Sequence, residues 1–224
     1  MDLTEAPPAA GLTRGDLAQR VLVTLSHGNW NSPDVLLVET DRGRAVVKDF
    51  APRSWLFRVT VGRALIRREM AVYRALDGHP AVPRLLGRID SHAFAIEHRG
   101  GVRFSRRRPW TFSPEFVAAL RAAVEDLHAR GVVHLDLSHR SNVRAAPDGS
   151  PVLIDFDAAQ RFRNGSLAAR ALQPLLRRVD ERALAKWDSL VSERRGGGSR
   201  EDQPSPVVSP GEPSERGRGA SRPM

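Results

Sequence analysis

Two short segments in the second half of the chain each end an apolar run on a carboxylate. The first is His134-Leu135-Asp136-Leu137, followed by Asn142; the second is Leu153-Ile154-Asp155-Phe156-Asp157. Short apolar runs read as buried strands, and a carboxylate at the end of a buried strand opens onto a cleft. There it can hold a divalent cation or orient a hydroxyl. Either alone would be a weak signal; the pair, in this order and after an upstream Lys and Glu at suitable distances, is a fairly specific one.

The 224 residues suffice for one sizeable domain or two small lobes, and 41% are hydrophobic, so most of the chain can fold. With no Cys, a disulfide framework and a thiolate metal site are excluded. The N-terminal Met1-Asp2-Leu3-Thr4-Glu5 lacks a basic region followed by an apolar run, which argues against a signal peptide. No stretch approaches the length of a membrane span. The expected location is cytoplasmic, with peripheral attachment at the inner membrane face as a variant of it. The formal net charge is +9, carried by Arg, since Lys48 and Lys186 are the only lysines. Such an excess either solvates the surface or favours anionic partners: nucleotide, phospholipid, nucleic acid.

Residues 1–14 are rich in Pro and Ala and read as a flexible N-terminus. Residues 194–224 hold Gly, Ser, Pro and charge with little to bury, and read as a disordered tail. Between them, 21–25, 35–40 and 44–50 read as strands, the last two joined by the tight turn Asp41-Arg42-Gly43. Residues 62–76 read as a helix, with Leu65, Ile66, Met70, Tyr73 and Leu76 at helical spacing and Glu69 on or beside that face, where a charge needs a partner. Residues 84–90 and 93–97 suggest two more strands around Ser91-His92. Ser113 and Pro114 start a strong helix whose stripe is Phe116, Leu120, Val124 and Leu127, and Gly131 ends it. After Asp157, one or two helices are expected, roughly over 166–178 and 180–192.

With these residues in place, the chain resembles the protein-kinase-like superfamily over about residues 20–180, and looks most like small bacterial members of the RIO and lipopolysaccharide-core sugar-kinase type. His134-Leu135-Asp136 resembles the catalytic-loop H-R-D, and Asp155-Phe156 the start of D-F-G. The resemblance implies an α+β, two-lobed protein-kinase-like fold: a small antiparallel-sheet N-lobe over 15–97 and a truncated, mainly helical C-lobe over 98–193. It implies ATP and Mg2+ as cofactors. Val46-Val47-Lys48 resembles the V-A-I-K strand, so Lys48 would hold the nucleotide's α/β-phosphates, with Glu69 as its helix partner. Ile96-Glu97-His98-Arg99-Gly100-Gly101 resembles the hinge: backbone groups around Glu97 and His98 would meet the adenine edge, and Ile96 would border it. Asp136 would orient the acceptor hydroxyl. Asn142 and Asp155 would hold magnesium, and Phe156 would pack beneath Asp155. His134 would support the loop through hydrogen bonds. Gly28, in Ser26-His27-Gly28-Asn29-Trp30-Asn31-Ser32, would let the backbone approach the phosphates.

The chain departs from the family pattern in three places. Five residues rather than four separate Asp136 from Asn142, so either Asn142 or Ser141 takes the magnesium position, with Asn142 preferred for its distance to Asp155. Asp157 replaces the Gly of D-F-G, as a further metal ligand or as a cap. The phosphate loop has one glycine rather than a set. Few foldable residues follow Asp157, which leaves no room for a long activation segment or a peptide-docking platform. That favours a phosphotransferase acting on a hydroxyl acceptor such as a sugar or lipid-linked saccharide. The alternatives are a pseudokinase-like binding module and a RIO-type serine/threonine kinase associated with RNA. Residues 52–59, with Trp55, Leu56, Phe57, Arg53 and Arg58, read either as a contact with an anionic membrane surface, together with Arg63, Arg67 and Arg68, or as apolar residues packed inward among solvated arginines. Arg103, Arg106, Arg107, Arg108 and Trp110 form a second basic stretch with an aromatic; a nucleic-acid surface is the less favoured reading of these patches.

Overall fold

The computed structural model describes residues 11–104, 112–163 and 165–192. The basic stretch at Arg106, Arg107, Arg108 and Trp110, and the tail over 194–224, lie outside them.

The chain folds as α+β. Strands β1 (Val21–Ser26), β2 (Asp34–Thr40), β3 (Gly43–Asp49), β4 (Leu85–Arg88) and β5 (Ala93–Glu97) form one sheet in the order β1-β2-β3-β5-β4. Every pairing in it is antiparallel. Alternation along the strands sends two sets of side chains to opposite faces. Val38, Ala45, Val47, Ala93 and Ala95 pack with Leu12 and Leu17 on one face. Val46, Phe94 and Ile96 join the main core on the other. Lys48 stands directly across from Phe94 and shares that second face.

Leu17 belongs to helix α1 (Arg14–Arg20), which the Pro/Ala-rich start of the chain concealed. Thr13 caps it, accepting from the Asp16 amide at 3.3 Å. Arg14 then clamps the helix to the sheet: its guanidinium reaches Asp49 and Asp90, each at 2.6 Å. The flexible segment expected over 1–14 is therefore corrected for 11–14, since Leu12 is fully buried.

The helix expected over 62–76 begins earlier. One turn of α2 (Trp55–Phe57) and a π-helical turn (Arg58–Gly62) lead into α3 (Arg63–Ala75). The inward packing considered for Trp55 and Leu56 is corrected: both are mostly exposed. Phe57 takes the inward place, against Phe50 and Trp30. Nor are Arg53 and Arg58 simply solvated. Arg53 bonds the Gly28 and Asn29 carbonyls and Asp34, and Arg58 bonds the Ala51 carbonyl.

Helix α4 (Pro114–Ala129) starts where the capping residues require, with Ser113 accepting from Phe116 N at 3.1 Å. Of the one or two helices expected over 166–192, the structure has one: α5 (Leu167–Ser192), which continues through Pro174 and carries Asp180, fully buried, at the point that divided the two-helix alternative. A buried charge interrupts an apolar stripe and mimics a helix end. Here it faces partners in the loop below.

Two small ladders complete the fold. Strands β7 (Val132–Val133) and β10 (Gln160–Arg161) form one, and β6 (Val102–Arg103), β8 (Val143–Ala145) and β9 (Pro151–Leu153) form the other. Between β7 and β8 lies the Asp136 loop, and between β9 and β10 lies Asp155, so the same strands pin both segments. The main core is continuous from α3 (Ile66, Met70, Tyr73) through α4 (Leu120, Leu127) to Trp187 on α5. Among the described residues, no helix is long and apolar enough to cross a membrane.

Candidate active site

The site is assembled around Lys48. Because β3 turns that side chain toward α3, Lys48 Nζ reaches Glu69 Oε1 at 2.6 Å and Asp155 Oδ1 at 2.7 Å. Glu69 lies one helical turn from Ile66 and Tyr73, on the inward face of α3, and both Lys48 and Glu69 are buried. Burial alone would lower the ammonium's pKa; the charges of Glu69 and then Asp155 more than reverse this, and Lys48 is held well above its usual range. Glu69 is raised, because burial outweighs its share of one ammonium. Asp155 is 44% exposed, and Lys48 overcomes its partial burial to lower its pKa. Asp157 moves the other way, raised by burial and by the neighbouring Asp155 charge. Two carboxylates two positions apart are thus driven apart in proton affinity.

Asp155 has φ +67°, a left-handed conformation that Asp tolerates better than most residues. Phe156 follows, fully buried, against Tyr73 at 5.3 Å and His134 at 4.7 Å between ring centroids. The column Tyr73–Phe156–His134 joins α3 to the loop that holds Asp136. His134 accordingly supports rather than titrates. It is buried, Nε2 lies 3.2 Å from the Ile154 carbonyl, and burial holds its pKa below the ordinary value.

Asp136 is gripped from two sides. Asn142 Nδ2 donates to Asp136 Oδ2 at 2.7 Å and to the Asp136 carbonyl at 3.0 Å. His139 Nδ1 meets Oδ1 from the exposed side. The 3-10 turn Arg140–Asn142 carries Asn142 to this position. Of the two magnesium alternatives, Asn142 is buried and sits beside the Asp155 segment, its carbonyl accepting from Ile154 N at 2.9 Å. Ser141 donates to Asn142 Oδ1 at 3.3 Å.

Asp180 is the site residue that sequence reasoning missed. Its Oδ2 accepts from His134 N at 2.8 Å and lies 3.0 Å from His128 Nε2, while Oδ1 accepts from Leu135 N at 2.8 Å. Leu135 has φ +67°, a conformation a leucine adopts only when its surroundings impose it. The buried carboxylate supplies that restraint. The available signal was an unexplained acid inside an amphipathic helix.

Two expected contacts take a different form. The Gly28 amide donates to Asp34 Oδ1 at 2.8 Å, and a Cβ on Gly28 would fall 2.1 Å from the Ser32 carbonyl. Glycine is required there, but for the loop's approach to itself, with Arg53 fastening it underneath. At the end of β5, Ile96 is buried in the main core. The amides of Glu97 and His98 are already used, by the Arg84 carbonyl at 2.8 Å and the Arg44 carbonyl at 3.3 Å. Neither of these two amides is therefore free to meet an adenine edge. Gly101, φ +125°, brings the chain against the Ala145 carbonyl and ties this segment to β8.

The donor set suits magnesium. Mg2+ takes oxygen ligands and is commonly held by one or two carboxylates together with phosphate oxygens. Asp155, Asn142 and Asp157 offer such oxygens. Among the described residues, no group of three or more His, Cys, Asp or Glu forms a metal cage; an ion here would depend on phosphate to complete its shell. Two surface cavities, of about 300 and 330 Å3, lie away from Lys48, one beside the Asp136 loop and one along α4 and α5. Neither is lined by Lys48, Glu69 or Asp155. No protein-family model matches the chain, and no curated protein matches it.

Proposed function

We propose that the protein is an ATP- and magnesium-dependent phosphotransferase with a protein-kinase-like fold, acting on a hydroxyl acceptor. The observation that carries this reading is the convergence of Lys48, Glu69 and Asp155 within 2.7 Å contacts, from three segments separated by 21 and 107 positions, beside an Asp136 held by Asn142. In this reading the five-stranded sheet with α3 is the smaller lobe and α4 and α5 build the reduced larger one. Lys48 holds nucleotide phosphate oxygens, and Glu69 keeps its ammonium in place. Magnesium, when bound, neutralises phosphate charge. Asp136 orients the acceptor hydroxyl and takes its proton. The hydroxyl oxygen forms a bond to the γ-phosphorus, and the bond to the β-γ bridging oxygen breaks, so ADP leaves with that electron pair. Catalysis of this kind is mainly positioning and electrostatics.

β10 begins three positions after Asp157 and α5 follows at Leu167, so no long segment lies between them, and this supports a small hydroxyl acceptor such as a sugar or lipid-linked saccharide over a docked peptide. Transfer from γ-labelled ATP to sugars and glycolipids tests the reading. Label should appear on an acceptor with wild type and fall about 10²–10⁴-fold with Asp136→Asn. A wild type that labels no acceptor and matches the variant would leave a nucleotide-binding module without turnover. One observation favours that second reading: the phosphate loop commits its Gly28 amide to Asp34.

A further inference from the structure

The cavity of about 300 Å3 beside the Asp136 loop is lined by Ser138, Arg140, Ala183, Lys186, Trp187 and Leu190. Ala183, Lys186, Trp187 and Leu190 follow one another at i, i+3, i+4 and i+7, so a single face of α5 forms its wall. Ser138 and Arg140 come from the loop itself, two and four positions after Asp136. The wall is fixed to that loop, because Trp187 is buried and its Nε1 donates to the Leu137 carbonyl at 3.3 Å.

Two of these six residues are cations. Among the described residues, Arg140 and Lys186 make no ion pair and no side-chain hydrogen bond, in a chain that pairs Arg14, Arg20, Lys48, Arg53, Arg121 and Arg130 with carboxylates. No carboxylate lines the cavity. Its charge is therefore +2, with the Ser138 hydroxyl as an additional donor. A phosphate monoester, close to dianionic at neutral pH, matches that charge and can engage a guanidinium through two oxygens.

We infer that this cavity is an acceptor subsite for a hydroxylated phosphate monoester, with Arg140 and Lys186 gripping the phosphate while the free hydroxyl reaches Asp136. The role as acceptor subsite rests on the phosphotransferase reading; the anion site itself does not. A cation placed beside a catalytic loop raises the local concentration of an anionic substrate and fixes its register. The phosphate could belong to a soluble sugar phosphate or to a lipid headgroup, and the chemistry recognised is the same.

The test is a calorimetric titration of the full chain, without ATP, with glucose 6-phosphate and with glucose. Sedimentation with phosphatidic acid or phosphatidylcholine vesicles forms a second arm. Wild type should bind the phosphorylated sugar or the phosphatidic acid vesicles, whichever is the source, and neither neutral counterpart. Arg140→Gln and Lys186→Gln lie at solvent-accessible positions and should each weaken binding about tenfold or more. Both variants should keep the wild-type affinity for ATP with magnesium. Absence of phosphate-ester binding in both arms, equal binding of glucose, or unchanged affinity in both variants overturns the inference and leaves the nucleotide reading intact. If the ester binds as expected but ATP with magnesium does not, the phosphotransferase reading fails and the site stands as an anion site only.

Discussion

Asp180, in the middle of α5, accepts the backbone amide of His134 at 2.8 Å across 46 positions of sequence, and with its other oxygen the amide of Leu135. The loop that presents Asp136 is thus hung from a helix that follows it only after strands β8, β9 and β10. Leu135 is kept in a left-handed conformation that its own backbone disfavours.

Replacing Asp180 should therefore unfold more than its own surroundings. Asp180→Ala leaves the His134 and Leu135 amides, and His128, without their acceptor inside the core. The expected loss is about 3–5 kcal/mol, the range for breaking a buried charged network. Urea unfolding measures it. A loss below about 1 kcal/mol would show that water replaces the carboxylate and that the loop does not depend on it.

Lys48→Met separates stability from function at the cleft. It removes the ammonium between two carboxylates and leaves Glu69 buried without a counter-charge. Thermal stability should drop, and the double variant Lys48→Met, Glu69→Leu should recover part of the loss, because burying no charge costs less than burying one unpaired. Strict additivity of the two single effects, measured by urea unfolding, would contradict the coupling that a 2.6 Å contact implies.

Acid should destabilise the protein from about pH 6.5 downward. His134 is fully buried, and its folded pKa lies below the ordinary 6.5. Between the two values the unfolded chain binds the extra proton, so stability rises with pH and is lost as pH falls through that window. His79, His92 and His98 are lowered too, each first by burial, and add in the same direction. Asp155 contributes at lower pH: its depressed pKa gives stability that is present above 3.8 and lost as pH falls through the folded value. The melting temperature should fall from pH 7 to 5.5, and the His134 Cε1 proton signal should titrate with a midpoint below the ordinary 6.5. A His134 midpoint at or above 6.5 would contradict the burial argument.

Much of the frame was legible in the chain. Alternation gave the strands around Lys48, capping residues gave the start of α4, and the apolar face of α3 flagged Glu69 as a charge in need of a partner. What escaped notice depended on distant partners. α1 is short and held by Arg14 reaching Asp49 and Asp90, contacts no local pattern encodes. Asp180 interrupted the apolar stripe of α5 because its partners lie in the Asp136 loop. Arg53 looked like part of a basic surface but fastens the loop at Gly28. Trp55 and Leu56 carried the composition of a core and ended outside it, since Phe57 filled the inward position on that turn.

The most direct test of the central claim is a calorimetric titration of ATP with and without magnesium into wild type and Asp155→Ala. A carboxylate that holds the ion between phosphates cannot be replaced by a methyl group without losing that bridge, whereas the fold, with Lys48 still paired to Glu69, should persist. Wild type should bind ATP with magnesium and bind it much more weakly without; Asp155→Ala should remain folded and lose most of the magnesium-dependent affinity, about tenfold or more. Binding that ignores magnesium, a variant equal to wild type, or no binding at millimolar ATP would contradict the assignment of Lys48 and Asp155 to a nucleotide–metal site.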